Sequence, residues 1–342
     1  EVAALAGVST ATVSRALRGE AGVEPATRER VEVAARELRY RPSGVARSLK
    51  LRSTRTLGLI VTDIENPYFP QVIRAVEDAA RARGYSVVLA DGRRDPEREI
   101  QSLELLAARE VDGLLIASSA LTARHRSWID ERPCPVVVMN SPSVAEDVPS
   151  VASDNHAGGR LACEHLLSLG HRRLAFLATP ASSNLAVDER LEGVREAMSA
   201  AHLDPQDLLV VDGDGGVEGG ERAAHTALEA RPEITALICY NDLTAVGALR
   251  GARALGRSVP ADLSIIGFDD VELAPYVDPP LTTVRQDTDA MGDWAVRTLL
   301  ASLGEIGADD DEDASDDGAS TERIGVEIVE RASTAAAPDG AG

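Results

Sequence analysis

EVAALAGVSTATVSRAL, residues 1–17, is the stretch on which the reading of this chain turns. Two short helical patterns, Val2–Ala6 and Thr10–Leu17, are separated only by Gly7-Val8-Ser9. A third helical pattern runs from Pro25 to Leu38, and Tyr40-Arg41-Pro42 then leads into Ser43–Lys50. Two helices joined by a tight turn containing Gly form a helix-turn-helix, whose second helix can lie in a DNA major groove. The spacing puts Thr10, Ala11, Ser14 and Arg15 on the exposed side of that helix and turns Val13 and Leu17 inward. Ser9 is placed to cap it by accepting backbone N–H bonds. Arginine can pair with both guanine acceptors, O6 and N7, while the short hydroxyls of Thr12 and Ser14 suit phosphate oxygens. Val31, Ala34, Ala35 and Leu38 form an apolar stripe for packing. The bland alternative is a small helical bundle whose Arg15 is merely solvated.

Outward from this head the charge changes sign. The 342 residues carry a net charge of −21, yet residues 1–56 hold 11 basic and 6 acidic side chains. A basic head on an acidic body is the asymmetry expected when only the head meets phosphates. The sequence shows no charged-then-apolar leader and no apolar run of membrane-spanning length, so the expectation is a cytoplasmic protein. The first helix is entered mid-pattern and without Met, so a few native residues are expected upstream. Cys134, Cys163 and Cys239 form no CxxC pair, which fits reduced thiols.

From Thr56 short apolar runs alternate with amphipathic helical stretches, in two similar halves. The first half runs Leu57–Val61, Pro70–Arg83, Ser86–Ala90, Glu97–Arg109, Gly113–Ala117 and Pro135–Met139. The second runs Asn155–Leu169, Arg173–Ala178, Val187–Ala201, Leu208–Val211, Val217–Ala230, Ala236–Tyr240, Leu243–Leu255 and Leu263–Phe268. Strand–helix alternation implies βαβ units and parallel sheets. The expected body is therefore α/β, with two doubly wound parallel-sheet subdomains and ligand chemistry at the carboxyl ends of the strands. EIGADDDEDASDDGASTE, residues 305–322, is an acidic run that cannot build a core and reads as a disordered insertion before a last strand, Ile324–Val329.

These motifs together resemble the lactose-repressor (LacI/GalR) family of bacterial transcription regulators. The resemblance begins with EVAALAGVSTATVSRAL and VEPATRERVEVAARELRYRPSGVARSLK. It continues through TRTLGLIVTDIENPYF (54–69), SDNHAGGRLACEHLLSLGHRRLAFL (153–177), ERLEGVREAM (189–198), YNDLTAVGAL (240–249), PADLSIIGFDD (260–270) and PPLTTVRQD (279–287). It implies an all-α helix-turn-helix head with a hinge helix on a periplasmic-binding-protein-like body. The head is then 1–42 and the hinge helix and linker 43–55. The effector-binding and dimerisation domain is 56–332, with an N-subdomain of about 56–154 plus 285–304 and a C-subdomain of about 155–284 plus 322–332. Residues 305–321 are the acidic insertion and 333–342 a disordered tail.

The resemblance also implies roles. Arg15, Thr10 and Ala11 read bases, and Ser9, Thr12, Ser14, Thr27 and Tyr40 lie near phosphates. Ser43, Ala46 and Leu49 belong to the hinge helix, with Leu49 as the wedge that enters the minor groove and kinks the operator. An isolated eight-residue helix is marginal in water, so it should need DNA and a partner to form. Ser43 stands where Asn is common, and Glu24 where a capping Ser is common. In the cleft between subdomains, Asp63, Asn66, Tyr68, Phe69, Asp154, Arg190, Asn241, Asp269 and Gln286 match effector-lining positions. Carboxylates, an amide and an arginine suit a polyol, and arginine equally suits a carboxylate or phosphate. The plain alternative for Arg190 and Asp269 is a structural salt bridge. Stacking partners are scarce, with Phe69, Tyr68, Tyr276 and Trp128 as the candidates.

Other classes fare worse. Lys50 is the only lysine, which removes a phosphate-loop or Schiff-base lysine from the body. Ser153-Asp154-Asn155 lacks the companion motifs of a β-lactamase. His165 and His171 read as surface or motif histidines rather than metal ligands. The expectation is a regulator and not an enzyme, most simply a repressor, with no metal and no cofactor. It would act as a homodimer on a pseudo-palindromic operator, with a small-molecule effector, a sugar first and a purine, nucleoside or sugar phosphate second. A solute-binding protein without DNA function is the rival from another class.

Overall fold

Two separate units emerge along the chain, residues 1–54 and 55–342. The structure, a computed structural model, describes residues 1–17, 19, 21–40, 53–118, 121–141, 148–179, 185–305 and 321–338. Ser43, Ala46, Leu49 and residues 306–320 of the acidic run lie outside the described residues.

The first unit contains α1 (Val2–Ala6), α2 (Thr10–Leu17) and α3 (Pro25–Glu37). Gly7 ends α1 in the left-handed region (φ 66°), where an L side chain is strained, and this turn reverses the chain into α2. The Ser9 hydroxyl accepts the Thr12 N–H at 3.1 Å, the cap expected from the sequence. Val2, Ala6, Val13, Ala16, Val31, Ala34 and Ala35 close a miniature core of small side chains. Leu38 was expected in that stripe but is exposed, because α3 stops one residue earlier and turns it outward.

The second unit holds two six-stranded sheets. In the first, β1 (Thr56–Val61), β2 (Ser86–Asp91), β3 (Gly113–Ala117), β4 (Val136–Met139), β5 (Ser150–Ser153) and β11 (Thr321–Ile324) stand in the order β11-β5-β4-β3-β1-β2, all parallel. In the second, β6 (Leu174–Ala178), β7 (Leu209–Asp212), β8 (Ala236–Cys239), β9 (Ser264–Asp269), β10 (Thr282–Gln286) and β12 (Val326–Val329) stand in the order β12-β10-β9-β8-β6-β7. Its pairs are parallel except the β10–β12 edge.

Helices cover both faces. α4 (Tyr68–Ala82) and α11 (Thr288–Ser302) lie on one face of the first sheet, and α5 (Pro96–Ala108) and α6 (Ala123–Asp130) on the other. The second sheet carries α7 (Asn155–Ser168) with α8 (Leu185–Ala200), and α9 (Val217–Ala230) with α10 (Asp242–Ala254). Leu57, Leu59, Leu115, Val137, Leu177, Leu237 and Ile265 are fully buried, as the continuous apolar runs of doubly covered strands require.

Three expectations change. The single strand Ile324–Val329 is two strands in different sheets, parted at Gly325, so residues 321–324 belong to the first subdomain. The crossing near 285 falls after Gln286, since β10 still pairs in the second sheet. Residues 333–338, expected as disordered tail, are pinned: Ser333 is fully buried and its Oγ donates to the Ile265 carbonyl at 2.6 Å, and the Ala337 N–H reaches the Leu169 carbonyl at 2.8 Å. His171, expected as a surface or motif histidine, is buried beneath this strap between Thr235, Ser264 and the Ala335 carbonyl. Burial pushes its pKa down. Among the described residues no helix is long and apolar enough to cross a membrane, and no group of three or more His, Cys, Asp or Glu is placed to hold a metal ion.

Candidate functional site

In the head, the face expected for base reading is open. Thr10, Ala11 and Arg15 are exposed while Val13 and Ala16 are buried beneath them. Ser14 and Thr12 are half-buried, and the Thr12 hydroxyl lies 2.9 Å from the Ser9 hydroxyl. Thr27 accepts a long bond from Arg30, and Tyr40 is exposed at the end of the described segment. Arg15 thus extends from a short helix whose buried face is fixed by seven small apolar residues, a rigid base for a long side chain.

In the body, the carboxyl ends of both sheets meet at a cavity of about 40 Å³. Seven of the nine residues expected in the cleft line it: Asn66, Tyr68, Phe69, Arg190, Asn241, Asp269 and Gln286. Asp154 does not; it caps α7, its carboxylate accepting the Ala157 N–H at 2.9 Å. Asp63 sits at the rim, where Arg94 Nε donates to it at 2.7 Å. Arg94 also donates through Nη1 to the Asp214 carbonyl of the other subdomain at 2.9 Å, so one guanidinium ties both lips.

Arg190 is the cavity's cation. It lies inside α8, which starts earlier than expected, at Leu185. Its guanidinium carbon is 3.4 Å from the Phe268 ring centroid and 4.8 Å from that of Tyr240. Nε donates to Asn155 Oδ1 at 2.9 Å and Nη1 to the Tyr240 carbonyl at 2.5 Å. The backbone beneath it is placed by glycines. A Cβ on Gly159 of α7 would lie 2.7 Å from the Arg190 carbonyl carbon, and a Cβ on Gly193 would lie 2.8 Å from the Arg160 nitrogen. Only glycines let α7 and α8 approach this closely.

Asp269 ends β9 with φ 121°, a strained backbone for an aspartate, and is buried. Gln286 Nε2 donates to it at 2.6 Å. Burial raises its pKa to about 7, against the opposing pull of Arg190 and the Gln286 bond. Asp242, buried behind it, is also pushed up, by burial and then by the Asp269 charge. The Gln286 amide oxygen in turn accepts the Ser153 hydroxyl at 2.6 Å and, more distantly, the Tyr68 hydroxyl. Tyr68, whose phenol burial pushes far up, donates to Asn140 Oδ1 at 2.7 Å and meets Phe69 edge-on. Asn241 caps α10 through Oδ1 and donates to the Gly215 carbonyl.

Sequence reasoning missed Asn140, Ser153, Asn155, Ala186 and Tyr240, which complete the wall. Asn155 and Tyr240 stood inside quoted motifs, so their neighbours Asp154 and Asn241 were the available signal. Asn140 had none. It follows β4 in the left-handed region (φ 65°), and its buried Nδ2 has no hydrogen-bond partner. Of the proposed stacking residues, only Tyr68 and Phe69 reach the cavity. Tyr276 is 81% exposed in a separate groove, and Trp128 packs against the α5–α6 side of the first sheet.

Among the described residues the wall carries one cation, one carboxyl group of raised pKa, and otherwise amides, hydroxyls and aromatic edges. That chemistry can hold a small polar ligand.

Comparisons with known proteins agree in both units. Residues 1–43 match the family described as bacterial regulatory proteins, lacI family, and residues 163–334 match a periplasmic binding protein-like domain. The chain is similar to the HTH-type transcriptional repressor PurR of Klebsiella pneumoniae (strain 342), 37% identical over 302 residues that cover 88% of each chain. It is similar to the ribose operon repressor of Escherichia coli (strain K12), 37% identical over 88% of this chain and 91% of that one. A solved structure of the Lac repressor dimer bound to operator and the anti-inducer ONPF matches with a TM-score of 0.84 at 30% identity, over 98% of each chain.

Proposed function

The chain belongs to the lacI family of bacterial regulatory proteins, DNA-binding regulators under small-molecule control, and we propose that it is a repressor acting as a homodimer whose effector is a neutral sugar held between its two subdomains. The observation that carries the sugar reading is the cavity's charge balance. Arg190, the wall's one cation among the described residues, has Nε and Nη1 committed to Asn155 and the Tyr240 carbonyl, which leaves no Nε–Nη fork to grip a phosphate. The remaining wall offers amide and hydroxyl groups from Asn66, Asn140, Ser153, Asn241 and Gln286.

The mechanism is a population shift. At about 40 Å³ the cavity is far below the roughly 300–1,000 Å³ of a ligand pocket, so a sugar must part the lips and then be clasped by them. Crossings at Asp154–Asn155, after Gln286 and at Gly325 allow the subdomains to hinge while each sheet stays rigid. The ligand favours whichever closure it contacts best, and operator affinity follows that choice. Twofold symmetry of a homodimer requires a pseudo-palindromic operator. Arg15 and its neighbours on α2 read base edges, and this regulator works in the cytoplasm without catalysing a reaction.

The test is a thermal-shift scan of the full chain against pentoses, hexoses, disaccharides, nucleosides, purines and sugar phosphates. A ligand at about 100 times its Kd adds roughly 2.7 kcal/mol to native stability. The expected result is a sugar that raises the melting temperature of the wild type but not of Arg190→Ala. Stabilisation by a purine or a sugar phosphate, with none by any sugar, refutes the neutral-sugar reading.

A further inference from the structure

We infer that Arg323, on β11 of the first subdomain, is a positioning residue for Arg190 of the second, acting through Glu189 and Asn155. The inference rests on the reading of the cavity as the effector site, and its geometry is a continuous chain of hydrogen bonds. Arg323 grips Glu189 with a fork, Nη2 to Oε1 at 2.6 Å and Nη1 to Oε2 at 3.0 Å. Glu189 Oε2 also accepts Asn155 Nδ2 at 3.1 Å. Asn155 then turns its Oδ1 to Arg190 Nε at 2.9 Å.

The order of donors and acceptors makes this chain directional. An amide side chain has a donor end and an acceptor end, and either can face a given neighbour. A carboxylate can only accept, so Glu189 draws the NH₂ end of Asn155 and leaves the oxygen for Arg190. Glu189 holds that place because a bidentate guanidinium pair fixes the carboxylate plane as well as its position. Without Arg323, Glu189, which is 23% exposed, is free to swing into water. Asn155, only 3% exposed, then loses its orienting partner, and Arg190 loses a defined acceptor at Nε. The two rings against Arg190 keep it in the cavity but do not fix its rotation, because a π face attracts the cation without directing its N–H groups.

The link also spans the hinge. β11 pairs with β5 in the first sheet, whereas Glu189 and Arg190 ride on α8 beside the second, and Asn155 is the first residue after a crossing. Rotation of the subdomains therefore pulls on the fork, and the cleft's cation is aimed correctly only in one relative orientation of the two halves. Closure and effector affinity become coupled through side chains that never touch the effector.

The experiment follows the Arg190 Nε–Hε signal by NMR in the full chain labelled with ¹⁵N-arginine, assigned by its loss in Arg190→Lys. Arg323→Met is expected to speed Hε exchange with solvent about tenfold, the effect of losing one anchoring bond to a charged group. Glu189→Ala, which cuts the chain from its other side, is expected to do the same, the double variant to add nothing further, and Arg323→Lys to restore much of the protection. Unchanged Hε exchange in Arg323→Met and Glu189→Ala, each folded with wild-type far-UV dichroism, makes the pair an ordinary surface salt bridge and overturns the inference. The signal needs no ligand. A sugar response insensitive to Arg190→Ala would refute the effector reading instead, and the two failures are told apart.

Discussion

Gly159→Ala adds one methyl group at the contact between α7 and α8. The new Cβ would stand 2.7 Å from the Arg190 carbonyl carbon and 2.8 Å from its Cα. The Arg190 carbonyl oxygen lies closer still, and carbon atoms at optimal separation are about 3.5–4.0 Å apart, so the helices must part by at least roughly 1 Å. Both helices are tied down, α7 against β10 and β12 and α8 against α7, so the shift cannot be absorbed by a flexible side chain. Overpacking of this kind costs about 1–3 kcal/mol. The same displacement carries the Arg190 backbone away from Asn155 and Tyr240, which hold its guanidinium. Urea unfolding of wild type, Gly159→Ala and Gly325→Ala measures the effect. Gly325 is the control, because nothing lies within 4 Å of its would-be Cβ and its φ is ordinary. The expected result is a loss of about 1–3 kcal/mol for Gly159→Ala and within about 0.5 kcal/mol of wild type for the control. Equal stability of the two variants would refute the argument that glycine contact places Arg190.

Three further outcomes are expected. Asp269 has a folded pKa of about 7 against an unfolded value of 3.8, so the native state holds a proton that the unfolded state has lost; this contribution is complete below about pH 4 and is lost as pH rises through 7. Between about pH 5 and pH 8 the wild type should therefore lose stability relative to Asp269→Asn, a difference in which the shared histidines cancel; parallel stability–pH curves would show that Asp269 does not titrate there. Arg15→Ala should weaken operator binding by about 1–3 kcal/mol and relax one base position, as read by competition with single-base operator variants; an equal loss on every sequence would mean that Arg15 meets only phosphate. Arg190→Ala and Asp269→Ala should abolish the effector response in an operator gel-shift assay while leaving DNA binding intact, and a normal response in either would remove it from the effector site.

The sequence by itself determined the head and the alternation of the body. The turn at Gly7, the cap at Ser9 and the spacing of Val13 act within a few residues, so their physics is local and legible. Long apolar strands bounded by helices are likewise local, and they carry Asn66, Tyr68, Phe69, Asn241 and Asp269 to strand ends, where the cavity forms. Tertiary structure decided the rest. β5 and β10 escaped the pattern because Ser150, Ser153, Thr282 and Thr283 look polar in sequence; they are buried because distant groups satisfy their hydroxyls, Thr283 donating to Asp242 at 2.6 Å and Ser153 to Gln286. The strap 333–338 looks like loose tail, yet it supplies the carbonyl that His171 faces. Arg323 and Glu189 are 134 positions apart and look like ordinary surface charges until two sheets bring them together. A helix or strand is set by the periodicity of its own residues, whereas a buried polar side chain is tolerable only with a partner, and which distant residue becomes that partner is fixed by the packing of the whole body.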